Sequence, residues 1–339
     1  MAVIAEKPKK KRILYIDLMK GLSITWVVWF HTIHPDFVNY SFRMPLFFLA
    51  SAIFFKPYPI KEFAEKKVYQ MLIPFVLFYL AYYIFLVISS VLSTGTWTEF
   101  DYRCILDVFK AYNGNGGPTV NPPLWFIMAL LNLQILLYLC VKVFKSRLFL
   151  LSLSVAVSLC AVLCWFEVYT YFQFGRALRY FCYYVFGYLY GKDIINIIED
   201  GGKRYYALLV TVATVFALAL LVKYLVPEQK VHVVVDYFQI TSLVILLIYL
   251  FRYLQHWWIL KPLKYYGANS YIVLGMNEII LTTLLVAFQH SFGQLTILTG
   301  FLHWIATMVL LIPVIRFLNK HVPYLVGKEN IFKRLRHDS

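Results

Sequence analysis

Apolar residues form ten long runs in this chain, and short polar or basic segments separate one run from the next. A helix needs about 20 mainly apolar residues to cross a bilayer, and most of the runs approach that length. The pattern predicts ten membrane-spanning helices, at approximately 13–33, 42–55, 68–93, 123–141, 148–166, 177–191, 205–222, 237–255, 271–288 and 296–317. The second and sixth runs are short for a full crossing, which predicts segments that are partly re-entrant or enclosed by protein.

Composition supports this interpretation. Of the 339 residues, 61% are hydrophobic and only 14% are charged, which is more apolar surface than a water-soluble protein could bury. No repeat, low-complexity tract or soluble segment interrupts the runs. We therefore expect an all-α membrane protein, a polytopic bundle with one integral-membrane domain over 1–339, in which basic tails at 1–11 and 321–339 flank a core over 12–320.

The basic residues predict the orientation. When the N-terminus is placed in the cytoplasm, 24 of the 32 Lys and Arg residues fall in inner segments and 7 in outer ones, while Lys20 lies within the first span. This asymmetry follows the positive-inside rule. It predicts a multi-pass protein of the cell inner (plasma) membrane with both termini cytoplasmic. The same rule accounts for the net charge of +15, so nucleic acid is not expected as a partner.

Cysteines and closely spaced glycines indicate packing rather than chemistry. The five cysteines form no CxxC pair, and no histidine or carboxylate at metal-ligand spacing accompanies them, so we expect neither a disulfide framework nor a metal site. Gly187 and Gly191 have small-xxx-small spacing, which favours close contact between helices.

Three ionisable residues, Asp17, Lys20 and His31, interrupt the first apolar run. Such residues are costly inside a membrane and are functional candidates by default. Lys20 and His31 are eleven positions apart, which places them on one helix face and about 16 Å apart along the axis. Asp17 lies one turn from Lys20 and can pair with it, whereas His31 can exchange a proton near neutral pH. The alternatives are that His31 only packs and that Lys20 snorkels to the headgroups.

Polar residues in later runs are further candidates. Arg176 and Arg179 are one turn apart and can grip an anionic or sugar group, although solvated rim charges are an equal alternative. Trp125 follows two prolines at a helix start, where an interfacial anchor is the simpler interpretation. Asn277 and Glu278 lie well inside the ninth run, and an intramembrane glutamate needs a partner or a wet cavity.

Five segments together resemble an integral-membrane acyltransferase family, acyltransferase family 3. They are DLMKG at 17–21 followed by His31, FRMPLFFLAS at 42–51, LWF at 124–126, the helix from 179 to 187, and GANS with Asn277 over 267–277. The first resembles the family's basic-x10-His pattern and the second its MPLFF segment. The resemblance covers about 12–320, and the length and loops are most similar to the fucose 4-O-acetylase-like branch.

Three positions depart from the family pattern. Lys20 stands where Arg is commoner, Ala52 where Gly is usual, and Asn277 where a histidine is frequent. An amide cannot shuttle a proton at neutral pH, so Asn277 would keep only a hydrogen-bonding role. This departure opposes any scheme that needs two histidines, and it leaves His34, one turn beyond His31, as a possible substitute base.

The resemblance implies a membrane-bound O-acyltransferase with no bound cofactor. Its co-substrate would be an acyl-CoA, most often acetyl-CoA, and its acceptor a hydroxyl of a cell-envelope or exported glycan or of a lipid-linked sugar. His31 would act as general base or carry the acyl group, with Lys20 and Asp17 lining the path or fixing the helix. The remaining candidates, expected to bind donor or acceptor, are Arg43, Trp125, Arg176, Arg179, Asn269, Asn277, Glu278 and His34.

Two other function classes stay open. A bundle of spans with intramembrane charges also suits a glycan or lipid transporter or flippase without acyl-transfer activity. A degenerate family member with a structural or sensing role is the other alternative, because Asn277 replaces the expected histidine.

Overall fold

The computed structural model describes residues 13–32, 42–109, 120–164, 171–292 and 296–332. Within these ranges the regular structure is helical throughout and no strand occurs. The α-helices are α1 (Leu14–Thr32), α2 (Arg43–Ala52), α3 (Ile60–Lys67), α4 (Ile73–Thr94), α5 (Trp125–Val143), α6 (Arg147–Leu163), α7 (Phe174–Asp200), α8 (Gly202–Leu225), α9 (Gln229–Leu254), α10 (Lys261–Ala268), α11 (Ser270–Phe292) and α12 (Ile297–His321). Short 3₁₀ segments occupy Tyr102–Phe109, Pro122–Leu124 and Trp258–Leu260.

Each of the ten apolar runs corresponds to a helix. Six continuous helical stretches are long and apolar enough to cross a membrane: Ile60–Thr94, Pro122–Val143, Gly202–Leu225, Gln229–Leu254, Ser270–Ser291 and Ile297–His321. The protein is therefore a multi-pass membrane protein, while the number of ten spans and the cytoplasmic placement of both termini stay predictions.

The two runs that looked short have different outcomes. α2 is only 10 residues long, and seven of these residues are buried, so it is enclosed by the protein as expected. α7 is 27 residues long and extends beyond the predicted run, but it is not among the helices long and apolar enough to cross a membrane, so a partly re-entrant or enclosed segment stays a prediction. Charged residues near its start and in its second half, among them Arg176, Lys192 and Asp193, limited the apolar pattern to the stretch between them.

A widened helical turn precedes α4. Residues Val68–Leu72 form a π-helical turn between α3 and α4, and Pro74 stands at the start of α4. Proline has no N–H to donate to the preceding turn, which favours an irregular hydrogen-bond pattern there. α4 ends at Gly95, whose φ of 74° is the left-handed conformation that favours glycine at a helix end.

α1 joins two hydrophobic cores. Its first half, with Ile16 and Met19, packs in a cluster with α7, α8 and α9. Its second half, with Ile24 and Val28, packs in a cluster with α4, α5, α11 and α12. Because both ends of α1 are held by different helices, its polar residues face protein as well as lipid.

Glycines set the closest helix contacts, as the spacing of Gly187 and Gly191 predicted. A Cβ added at Gly187 would lie 2.6 Å from the carbonyl oxygen of Leu49, and one at Gly191 would lie 2.5 Å from the Ile53 side chain. The end of α2 therefore packs directly against the Gly187 and Gly191 face of α7. This contact holds the MPLFF segment in the middle of the bundle.

Candidate active site

Glycines also anchor α1 to α10. A Cβ at Gly267 would lie 1.9 Å from the carbonyl oxygen of Asp17, and a Cβ at Gly21 would lie 2.0 Å from that of Leu263. The two backbones touch, and no larger residue fits at either position without separating them. The GANS and DLMKG segments therefore meet where α1 and α10 cross. The close packing at this crossing explains why each segment contains a glycine.

This anchor brings His31 and Glu278 together. The Nδ1 atom of His31, in the last turn of α1, lies 3.7 Å from Oε2 of Glu278 on α11. Ten residues separate Gly21 from His31, and eleven separate Gly267 from Glu278. At roughly 1.5 Å per residue the two side chains reach a similar height above the crossing. The two exposed fractions are 23% for His31 and 18% for Glu278, so the pair is largely enclosed but accessible.

Arg43 is held beside the same site by an aromatic ring. Its guanidinium carbon lies 4.0 Å from the ring centre of Phe30, and the Phe30 and His31 ring centres are 5.6 Å apart. The Ser23 hydroxyl donates a 2.6 Å hydrogen bond to the Arg43 carbonyl oxygen, which fixes the start of α2 against α1. Phe30 thus lies between the Arg43 guanidinium of α2 and the His31 ring of α1, and His31 in turn faces Glu278 of α11.

Tyr82 of α4 completes this side of the site. It is 6% exposed and lies within electrostatic range of Glu278 and close to the side chain of Thr282. Thr282 lies one turn beyond Glu278 on α11. Sequence reasoning missed both residues, because tyrosine and threonine are ordinary in an apolar run and only the fold places them beside the carboxylate.

Asn277 is buried next to Glu278. It has no exposed surface, and neither its amide oxygen nor its amide nitrogen has a hydrogen-bond partner among the described residues. A buried polar group without a partner costs about 1–3 kcal/mol. Such a group is expected where a site must later bind a polar ligand, so Asn277 remains a predicted binding residue.

His303 on α12 is a second buried imidazole that sequence reasoning missed. It is 1% exposed, and its Nε2 lies 3.0 Å from the carbonyl oxygen of Leu281. Its Nδ1 has no partner in the described part of the chain. The signal was available, since a histidine inside an apolar run is a functional candidate in the same way as His31.

Lys20 and Asp17 lie apart from the histidine. The Lys20 ammonium sits over two aromatic rings, 5.8 Å from the centre of Phe47 and 5.5 Å from that of Phe54. α1 is continuous over these residues, so the distance along it from Lys20 to His31 is the expected ~16 Å. Neither Lys20 nor Asp17 can touch the His31 imidazole, and their predicted role in lining a path stays a prediction.

Arg176 and Arg179 lie near different aromatic rings, and a joint grip on a ligand stays a prediction. The Arg176 guanidinium carbon lies 4.4 Å from the ring centre of Trp125, whereas that of Arg179 lies 5.7 Å from Tyr180. Arg179 also lines a cavity of ≈ 80 Å³ with Asp236. Trp125 therefore supports an arginine, and its predicted roles as interfacial anchor and binding residue are untested.

Asn269 has a structural role. Its oxygen accepts hydrogen bonds from Asn319, at 2.9 Å, and from the Lys328 ammonium, and its nitrogen donates to the Tyr265 carbonyl. These bonds tie the α10–α11 corner to α12 and to the segment after it. A binding role for Asn269 stays a prediction, and the possible substitute base His34 lies outside the described residues.

Comparison with known proteins identifies the family of the chain. The model of the acyltransferase-domain family, acyltransferase family 3, matches residues 13–318. That range includes α1 to α11 and nearly all of α12, together with every candidate site residue named from the sequence. No curated protein and no solved structure matches the chain. Because the family model covers nine-tenths of its length, the chain belongs to acyltransferase family 3 and is a membrane acyltransferase.

Proposed function

We propose that this protein transfers an acetyl group from acetyl-CoA to a hydroxyl of a cell-envelope or exported glycan. The observation that carries the proposal is the 3.7 Å approach of His31 Nδ1 to Glu278 Oε2. A base oriented by a carboxylate is the arrangement that activates hydroxyl nucleophiles in acyl transfer. Here the two residues come from helices far apart in the sequence, and the fold brings them together.

The proposed reaction needs one base. The acceptor hydroxyl loses its proton to Nε2 of His31, and its oxygen attacks the thioester carbonyl. Glu278 Oε2 lies 3.7 Å from Nδ1, beyond hydrogen-bond distance; once the two atoms approach to about 3 Å, it would hold the ring in orientation and stabilise the imidazolium that forms. The tetrahedral intermediate expels the CoA thiolate, and the imidazolium returns the proton to that sulfur. The products are an ester and a free thiol, so atoms and charges balance.

Neighbouring residues have supporting roles in this scheme. Arg43, held on Phe30 beside the imidazole, is the nearest fixed positive charge for the oxyanion or for an anionic substrate group. The buried amide of Asn277 would hydrogen-bond the substrate. Because one histidine and one carboxylate suffice, the loss of the second family histidine does not by itself remove activity.

Acyl transfer is tested with membranes that contain the full chain. They are incubated with radiolabelled acetyl-CoA, with or without glycan and lipid-linked sugars extracted from the producing cells. The proposal predicts label in the sugar fraction that mild alkali releases, as expected of an ester. Alkali-stable label would indicate transfer to an amine. Movement of sugars across the membrane without label would instead support the transporter interpretation and contradict the proposal.

A further inference from the structure

A second polar cavity lies away from the candidate active site. It has a volume of ≈ 340 Å³ and opens between the end of α5, the start of α6 and the middle of α7. This volume falls within the range of about 300–1,000 Å³ that is usual for small-molecule sites. None of its lining residues belongs to the candidate active site.

Its lining is rich in positive charge. Lys145 and Arg147 come from the α5–α6 connection and Lys192 from α7. The one acidic lining residue, Asp193, is paired with Arg147 at 3.7 Å. Neither lysine has an ion-pair partner in the described ranges, so the cavity keeps two uncompensated positive charges beside the paired arginine.

The connection that carries these cations is ordered by local contacts. The backbone N–H of Phe149 donates to the Ser146 hydroxyl at 3.3 Å, which caps the start of α6. The rings of Phe144 and Phe149 pack with their centres 4.9 Å apart. Lys145 and Arg147 are therefore presented from a fixed turn, one on each side of the capping serine.

We propose that this cavity binds a phosphate group at the membrane surface. Lys145 and Lys192 would act as point charges, and Arg147 would offer paired N–H donors, a combination that suits phosphate oxygens. By the positive-inside rule the cavity faces the cytoplasm, and basic pockets between helices on that face bind anionic lipid headgroups. The phosphate has two possible sources, an anionic phospholipid or the nucleotide part of the acyl donor, and the second source rests on the proposed function.

The test compares two triple variants of the purified full chain. K145Q/R147Q/K192Q removes the cavity's cations, and K61Q/K203Q/R204Q removes three exposed charges on the same predicted face but outside the cavity. Size-exclusion profile and melting temperature verify that both variants fold. Native mass spectrometry then measures binding of phosphatidylglycerol, with phosphatidylcholine as the neutral reference, and calorimetry measures binding of inorganic pyrophosphate and of coenzyme A.

The cavity variant is expected to lose about 10-fold or more in affinity for at least one phosphate probe, while the control variant retains it. Loss confined to phosphatidylglycerol identifies the lipid headgroup, and loss confined to pyrophosphate and coenzyme A identifies the donor. Equal binding by both variants, or no binding of any phosphate probe by the unmodified protein, would overturn the proposal. The variant H31Q leaves the cavity intact, so retained phosphate binding without acyl transfer separates this proposal from the proposed function.

Discussion

α1 and α8 show two different ways in which a helix is placed in this protein. α8 is among the six helices that are apolar enough to span a membrane, yet only 11% of its most apolar stretch is buried inside the protein. α1 is absent from that group, although ten of its 19 residues are buried. α8 therefore leaves most of its apolar stretch uncovered by protein, as a lipid-facing helix would, whereas neighbouring helices enclose about half of α1.

This difference follows from where polar groups find partners. A helix surrounded by lipid has no partner for a charge and must be apolar on every side. Polar residues of a helix enclosed by protein find partners on the neighbouring helices. His31 faces Glu278 of α11, and the Lys20 ammonium lies over the rings of Phe47 in α2 and Phe54 just after it. Of the candidate residues, His31 and Arg43 lie on α1 and α2, which do not meet the hydropathy criterion, whereas their proposed partner Glu278 lies on α11, which does.

The largest expected effect comes from the base on α1. The variant His31→Ala should lower acyl transfer by about 10²–10⁴-fold, since it removes the general base, while the protein still inserts and folds. His290→Ala removes an exposed histidine of α11 and serves as the control. Initial rates in the labelled acetyl-CoA assay measure both. A His31→Ala protein with near-normal rates would remove this residue from the mechanism.

The next effect concerns the crossing that positions α1. Gly267→Val should lower the free energy of unfolding by about 3 kcal/mol, because even a Cβ would lie 1.9 Å from the Asp17 carbonyl oxygen and the backbones must separate. Thermal unfolding of the purified protein, monitored by fluorescence, measures the loss. An unchanged melting temperature would show that α10 does not contact α1 this closely.

A smaller effect, of opposite sign, is expected at the buried amide. Asn277→Leu should raise the free energy of unfolding by about 1–2 kcal/mol, since it replaces a buried polar group that has no partner in the described structure. Acyl transfer should fall at the same time, because stability gained at a binding site costs function. Asn196→Leu, at an exposed position of α7, is the matched control. A destabilised Asn277→Leu protein would mean that the amide has a partner.

The smallest effect is expected on α8. Ala213 is exposed on that helix, and Ala213→Leu should change the free energy of unfolding by no more than about 0.5 kcal/mol, with acyl transfer unchanged. The unfolding and transfer assays used above apply here too. A large loss of either property would show that this face of α8 packs against protein, and it would weaken the contrast between the two helices.

Much of the fold could be predicted from the sequence, because lipid demands apolar residues and the ten runs stand out for that reason. The full length of α7 could not, since its charged ends resemble connections. The short helices α3 and α10 were missed because they are too short and too polar to be read as spans. The close helix packing at Gly187 and Gly191 was predicted correctly from their spacing alone.

The site was predicted in parts. His31 and Glu278 were singled out because an ionisable residue in an apolar run is unusual, and Arg43 because of the family resemblance of its segment. Their meeting could not be predicted, because it depends on the register that Gly21 and Gly267 set between α1 and α10. Sequence periodicity placed Lys20 on the same face as His31, but periodicity within one helix says nothing about which neighbour each residue faces.

The most direct test of the central claim is a double-mutant cycle on acyl transfer with His31→Gln, Glu278→Gln and the two changes combined. If the carboxylate acts through the imidazole, the double variant should be no slower than His31→Gln alone, and the two losses should be strongly non-additive. Fully additive losses would show that Glu278 acts independently of His31, and this result would contradict the account.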